Sequence, residues 1–174
     1  MTLLAALLAR FTALEADLNA LDAAAGDGDH GSTILRGLRA AAGAAVGADD
    51  PVVAFRTATG GASGSLFAHV LAALIAHQGG EALGPALARA AQRIGAVGQA
   101  KPGDRTMLDA LIPASRAADA AGAARAAAEG AAATADMTAR RGRARHVEGA
   151  GMGHVDAGAR SVAEMLAVLA GESP

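Results

Sequence analysis

The chain has 174 residues, 52% of them hydrophobic and only 2% aromatic, with a net charge of −2 and no cysteine. That length suits one domain with a real core. The slightly acidic balance excludes the electrostatic footprint of a nucleic-acid binder, and no apolar run reaches the roughly 18 residues of a membrane span. Alanine, the best helix former, supplies most of the apolar count, while the β-branched and aromatic strand formers are scarce. The fold class expected is all-α.

The N-terminus has no basic n-region, and its apolar residues recur at helical spacing. It reads as a helix of the mature protein and not as a signal peptide. With cysteine absent, a reducing compartment and a cytoplasmic location are expected. Leu3, Leu4, Leu7, Leu8, Phe11, Leu14, Leu18 and Leu21 follow the helical repeat and deliver the chain to LDAAAGDGDHG at 21–31. Here Asp22, Asp27 and Asp29 fall within eight positions, separated by glycine and followed by His30. Carboxylates this close repel one another unless a cation offsets the charge. All-oxygen ligation favours Mg²⁺, Mn²⁺ or Ca²⁺ over Zn²⁺. An EF-hand register fails, because a loop begun at Asp27 places Gly31 at position 5 and Leu38 at position 12. The same string also reads as a polar turn in which Asp29 caps the next helix. Asp22 and His30 beside it favour the metal site.

A second helix is predicted from near His30 to about Val46. Its N-terminus aims free N–H groups at the aspartates, a good place for phosphate. His30, Ser32 and Thr33 lie on that first turn, with His30 read as a phosphate ligand. Asp49-Asp50-Pro51 starts a third helix, which breaks at Gly60-Gly61-Ala62-Ser63-Gly64-Ser65. This Gly-rich turn opens onto a helix carrying Leu66, Phe67, Val70, Leu71, Leu74 and Ile75, but it lacks the GK[ST] of a Walker loop. His69 and His77 read as structural or solvent-facing. Gly79-Gly80 ends the helix, and Leu83, Leu87, Ala90, Ile94 and Val97 mark the next. In the turn 101–109, Asp104 is expected to cap the helix carrying Met107, Leu108, Leu111 and Ile112. Residues 119–140 read as an Ala-rich helix. The only basic cluster, Arg140 to Arg145, suits phosphates. The Gly-rich stretch 146–158 suits a lid, and Asp156-Ala157-Gly158 opens the last helix. No internal repeat or second domain is evident, so residues 1–174 are expected to form a single domain.

Four segments, LDAAAGDGDHG, GGASGSLF, KPGDRTMLDALIP and RRGRARHVEGAGMGHVDAGARSV, occur in an order that resembles the L subunit of bacterial dihydroxyacetone kinase and the nucleotide-binding domain of the one-chain enzymes. The resemblance runs from about residue 3 to about residue 170. It implies a closed antiparallel bundle or barrel of about eight helices with a nucleotide at one rim. Carried over by position, it implies that Asp22, Asp27 and Asp29 hold two Mg²⁺ ions against the phosphates of ADP or ATP. Nucleotide contacts are implied at His30, Gly31, Ser32, Thr33, Ala62 and Ser63, at Met107 beside the adenine, at Arg143 near the phosphates, and at Asp156, Ala157 and Gly158. The asparagine frequent in the family is Thr33 here, and prolines are replaced by Ser65 and Ala157.

The family resemblance implies half an active site. Asp22, Asp27, Asp29, His30 and Arg143 would serve the transfer, with Lys101 or Arg105 reducing the remaining negative charge. A partner K subunit would hold dihydroxyacetone. ADP is expected to stay bound as a cofactor, rephosphorylated by a phosphohistidine protein of the phosphotransferase system; a homodimer is a further partner considered. The alternatives are an ATP-dependent kinase subunit for another small ketose or polyol, and a nucleotide-loaded regulatory binding module.

Overall fold

The computed structural model describes residues 1–172, with the side chain of Ala62 outside the described part. Eight α-helices make up the fold, and no strand occurs among the described residues. They are α1 (Leu3–Ala23), α2 (His30–Val46), α3 (Pro51–Thr59), α4 (Gly61–Gln78), α5 (Leu83–Gly98), α6 (Leu108–Ala114), α7 (Ala120–Ala133) and α8 (Ala157–Leu169). Each helix packs against the next in sequence, and α8 returns to pack against α1, so the ring is closed. No helix among the described residues is long and apolar enough to cross a membrane.

Local chemistry sets most helix starts. Thr2 caps α1 by accepting from the Ala5 amide at 3.3 Å. Asp50 caps α3 through the Val52 and Val53 amides at 2.8 and 3.1 Å, with Pro51 at the first helical position. Asp119 caps α7 through Gly122, and Asp156 caps α8 through Ala159. Propensity differences amount to tenths of a kcal/mol per residue, whereas burying one phenylalanine stabilises by roughly 1.5–3 kcal/mol. Packing therefore decides, and all three phenylalanines, Phe11, Phe55 and Phe67, are buried in one core with Leu7, Leu35 and Leu71.

Small residues let the helices approach closely. A Cβ at Gly37 on α2 would lie 2.7 Å from the Phe55 ring of α3. One at Gly130 on α7 would overlap the Asp109 carbonyl oxygen of α6. The Ala-rich α7 buries Ala123, Ala124, Ala127 and Ala131 by the same means.

Three local expectations are corrected. The Gly60–Ser65 stretch is a turn only at Gly60 and Gly61, whose φ values are 61° and 60°; helix α4 already runs from Gly61, so Ser63 lies in its first turn. The helix expected over 119–140 ends at Ala133 and continues only as a single 3-10 turn, Thr134–Asp136. The buried Thr134 hydroxyl stops it, donating to the Ala131 carbonyl and accepting from the Asp156 amide. Asp104 does not cap α6: its carboxylate accepts from the Lys101 amide at 3.1 Å, because the Pro-Gly turn folds it back. Asp109 holds this turn instead, accepting from the amides of Gly103 (2.5 Å) and Thr106 (2.8 Å).

Two glycines of opposite environment test this packing. Gly130→Ala is expected to lower stability by about 1–3 kcal/mol through overpacking, outweighing a helix-propensity gain of about 1 kcal/mol. Gly43→Ala, on a helix face where an added Cβ meets nothing within 4 Å, should raise stability by up to about 1 kcal/mol. Urea-unfolding midpoints of the two variants should move in opposite directions.

Candidate functional site

Helix α1 ends at Ala23, and the chain crosses Gly26 and Gly28 before α2 begins. Gly28 has a φ of 76°, which favours glycine. A Cβ at Gly26 would lie 2.5 Å from Asp22 Oδ1, so the loop passes directly over that carboxylate. Asp22 Oδ2 accepts from the amides of Gly28 at 2.9 Å and Asp29 at 3.2 Å, which folds the loop back onto the helix end. As a result one carboxylate oxygen from each of Asp22, Asp27 and Asp29 lies within 4.8 Å of the others. Asp22 is half-buried, while Asp27 and Asp29 are exposed.

Asp29 occupies the N-cap position of α2 but makes no capping hydrogen bond through its side chain. The simple cap reading therefore does not account for its carboxylate. The cation that the cluster has drawn in is Arg143, whose guanidinium pairs with Asp27 and lies 3.9 Å from Asp29. Two of the three oxygens thus face a positive group in their present geometry, which is the charge demand a divalent cation would meet.

Beside the triad opens a cavity of about 430 Å³. One wall is apolar, with Leu66 and Phe67 from α4, Ile94 and Val97 from α5, and Met107 before α6. The rest of the lining is more polar, carrying Asp22, Arg143 and the start of α8 at Asp156, Ala157 and Gly158. Ser63 lines the cavity from the first turn of α4. The structure therefore brings Asp22, His30, Ser63, Met107, Arg143 and residues 156–158 together around one space, although they are scattered over most of the chain. An adjoining groove of about 760 Å³ shares Ser63 and Arg143 with this cavity and adds Asp29, Thr33, Gly60, Arg145 and His146.

The His30 ring turns inward. Its Nε2 is 2.8 Å from Ser161 Oγ of α8, and it packs edge-on against Phe67 with ring centroids 5.4 Å apart. Burial lowers its pKa to about 4, against an opposing pull from Asp22, so the ring is neutral near pH 7. Ser32 and Gly31 point away from the cavity. The Ser32 hydroxyl donates to Glu15 and accepts from Asn19 on α1, and a Cβ at Gly31 would overlap the Glu15 carbonyl oxygen. Both positions join α2 to α1 through their side-chain faces. The expectation for the Ala62 side chain lies outside the described residues.

Several site residues were not legible from motif spacing. Gly98, where α5 ends, lines both the cavity and the groove. Asp104 is buried, pairs with Arg141 at 3.6 Å, and its carbonyl accepts from the Arg140 amide. It therefore anchors the basic strap that carries Arg143. Arg105 is also buried and lines the cavity. The sequence signal for this turn is the gathering of Lys101, Arg105 and Met107.

The stretch expected as an open lid is partly ordered by short 3-10 turns at Arg143–His146 and Glu148–Gly151. The Ala139 amide donates to the Ala150 carbonyl and the Gly153 amide to the Ala135 carbonyl. Where it meets α8, burial raises the Asp156 pKa from 3.8 to about 6, against the pull of the Ala159 amide and Arg105. Between those two values the folded state binds more protons than the unfolded state, so this group's contribution to stability falls as pH rises. The shift corresponds to a penalty on the order of 3 kcal/mol at pH 7. Asp156→Asn keeps a capping oxygen and removes the charge. The stability of this variant relative to the parent should rise as pH increases from 4 to 7, read from melting temperatures across that range.

Comparison with known proteins places these features. The DAK2 domain family matches residues 24–171. An L-erythrulose 1-kinase of Mycolicibacterium smegmatis is 38% identical over 182 aligned positions, covering 89% of this chain and 32% of that protein. A D-erythrulose kinase of the same organism is 36% identical, covering 86% of this chain and 31% of that protein. The dihydroxyacetone kinase of C. freundii in complex with AMP-PNP and Mg²⁺ superposes with a TM-score of 0.75 at 29% identity, over 98% of this chain and 33% of that one. Its native form gives 0.74. The chain thus spans about a third of the length of these relatives. With its helical ring and the matched span of 148 residues from 24 to 171, this chain belongs to the DAK2 domain family.

Proposed function

We propose that the chain is a single nucleotide-binding domain of a kinase, holding a Mg²⁺-nucleotide whose phosphoryl group passes to a hydroxyl of a small ketose on a partner. The observation that carries this reading is the placement of a three-carboxylate cluster at the mouth of an apolar-walled cavity. A purine base suits the wall of Leu66, Ile94, Val97 and Met107, while the phosphates suit the polar rim. The C. freundii relative, crystallised with AMP-PNP and Mg²⁺, supports the same ligand class here.

Within this reading Asp22, Asp27 and Asp29 hold Mg²⁺, and two ions remain the proposed count. Divalent cations on a nucleotide neutralise phosphate charge and polarise the transferring group. Arg143, already at the carboxylates, supplies a guanidinium to phosphate oxygens. Ser63 and Thr33, on the first turns of α4 and α2, place hydroxyls and helix N-termini toward the same region. His30 is neutral and bonded to Ser161, so it orients the cavity floor without adding charge. Positioning and electrostatics make up most of what phosphoryl transfer asks of a protein.

The acceptor side in this reading is the adjoining groove, lined by Thr33, Arg145 and His146. We infer that a K-type domain or subunit presents the ketose there. The relatives named erythrulose kinases favour a three- or four-carbon ketose as the acceptor class, dihydroxyacetone or erythrulose. The AMP-PNP in the C. freundii complex supports a nucleoside triphosphate as the donor. The tethered strap over the cavity favours a second reading, in which ADP is retained and rephosphorylated by a phosphohistidine protein.

Denaturing the purified protein and assaying the supernatant for ADP separates these forms: one equivalent of ADP supports retention, and an empty protein that binds Mg²⁺-ATP supports exchange. A protein that binds neither nucleotide overturns the kinase reading. Asp27→Asn should weaken Mg²⁺-dependent nucleotide binding by roughly tenfold to a hundredfold or more while leaving far-UV circular dichroism unchanged. Isothermal titration with and without Mg²⁺ measures the loss.

A further inference from the structure

We propose that Arg105 is a positioning residue that clasps the 149–156 segment over the cavity and so sets how fast a bound nucleotide leaves. The proposal rests on the nucleotide reading above and adds to it the part of the chain that governs release.

Arg105 is 3% exposed, in a protein whose other arginines on the strap side lie at or near the surface. Its backbone is left-handed, with a φ of 59°, a conformation that disfavours any residue carrying a Cβ. The conformation aims the side chain beneath the glycine-rich segment. There Nη2 donates to the His154 carbonyl at 2.7 Å. Nη1 lies 3.8 Å from Asp156 Oδ1, at the start of α8. The backbone of Gly151 rests directly on the guanidinium, since a Cβ there would lie 2.5 Å from Nη1 and 2.6 Å from Nη2. The buried Nε has no hydrogen-bond partner. An arginine held with one donor unsatisfied is placed for what its other nitrogens reach.

The chain topology gives these contacts their meaning. Arg105 belongs to the turn between α5 and α6, which forms the cavity wall with Met107. The segment it holds leads from the basic strap to Asp156 and Gly158, which also line the cavity. The backbone bonds of Ala139 with Ala150 and of Gly153 with Ala135 tie the segment to residues 135–139. The Arg105 bond ties it across to the wall. The cavity is lined by Arg105 and Met107 on one of the parts this side chain joins and by Asp156 at the end of the other. Loosening the joint opens the rim while leaving the aspartate triad untouched.

The test uses the full chain, with Arg105→Gln, Arg105→Lys, Gly151→Ala and the double variant Arg105→Ala/Gly151→Ala compared against Arg105→Ala. Dissociation of a fluorescent N-methylanthraniloyl-ADP in Mg²⁺ is followed by stopped flow, and hydrogen exchange of residues 147–155 is measured without nucleotide. Arg105→Gln should speed dissociation by about tenfold, the effect expected for losing one charge-assisted hydrogen bond. Exchange in 147–155 should rise by a similar factor, with α1, α2 and α4 unchanged and Mn²⁺ affinity at the triad within about twofold of the parent value. Arg105→Lys should fall between, since an ammonium keeps the charge opposite Asp156 but cannot fork to the His154 carbonyl. Gly151→Ala should also speed dissociation, and by less when the guanidinium is already gone, because only the backbone strain then remains.

Parent-like dissociation and exchange in Arg105→Gln would overturn the proposal. So would a uniform rise in exchange across all helices with dissociation unchanged, which would mark Arg105 as a support of the fold alone. Should Arg105→Gln fail to fold, Arg105→Lys and the Gly151 cycle decide the question in the same terms. If the parent protein binds no nucleotide analogue, the nucleotide reading fails, whereas the ligand-free exchange measurement still decides whether the clasp exists.

Discussion

Mutual repulsion among Asp22, Asp27 and Asp29 is the constraint to which the rest of the site answers. Three negative groups within 4.8 Å of one another are tolerated because backbone and guanidinium are arranged against them. Two amides of the loop turn onto Asp22, and Arg143 comes from the far end of the chain to Asp27 and Asp29. Neither device spends the outer lone pairs of all three carboxylates. The loop is thus shaped to hold charge, and the proposed cation would find carboxylate oxygens there, whereas an ordinary Asp-Gly turn would satisfy its carboxylates on its own amides.

The helical ring makes that arrangement rigid. Close approach at Gly31, Gly37 and Gly130 removes the space a side chain would need, so α1, α2, α3, α6 and α7 sit in fixed register. The apolar wall of the cavity is the inner edge of the same core, with Phe67 and Ile94 belonging to both. The polar rim lies at the end of α1, on the basic strap and at the start of α8. Core and site are thus one construction, apolar toward the centre of the ring and charged at its edge.

Much of this could be read from residues alone. The leucine repeat of α1, the Asp50-Pro51 start of α3 and the Asp156 start of α8 follow from spacing and capping chemistry, and the structure has each of them. The triad and the cavity residues Ser63, Met107 and Arg143 came from ordered motifs, and the fold brings them to one space. What escaped was settled by tertiary contact. Asp104 is a plausible cap by position, and only the path of the Pro-Gly turn takes its carboxylate back to Lys101 and leaves Asp109 to hold the turn. The end of α7 depends on Thr134 meeting the Asp156 amide, a residue 22 positions away. Ser32 looked free for a ligand until Glu15 and Asn19 of α1 claimed its hydroxyl. Arg105 is expected near the phosphates, but its burial could not be read from the sequence, because it depends on a glycine 46 positions later.

The contact of α8 with α1 has a consequence for how the site comes into being. One side of the site is written near residue 22 and the other between residues 141 and 158, so almost the whole chain must be threaded before they can meet. Joining segments so distant in sequence exacts a large loop-closure entropy and belongs among the late events of folding. On the proposed function, ligand binding would then report that α8 has docked onto α1 and closed the ring.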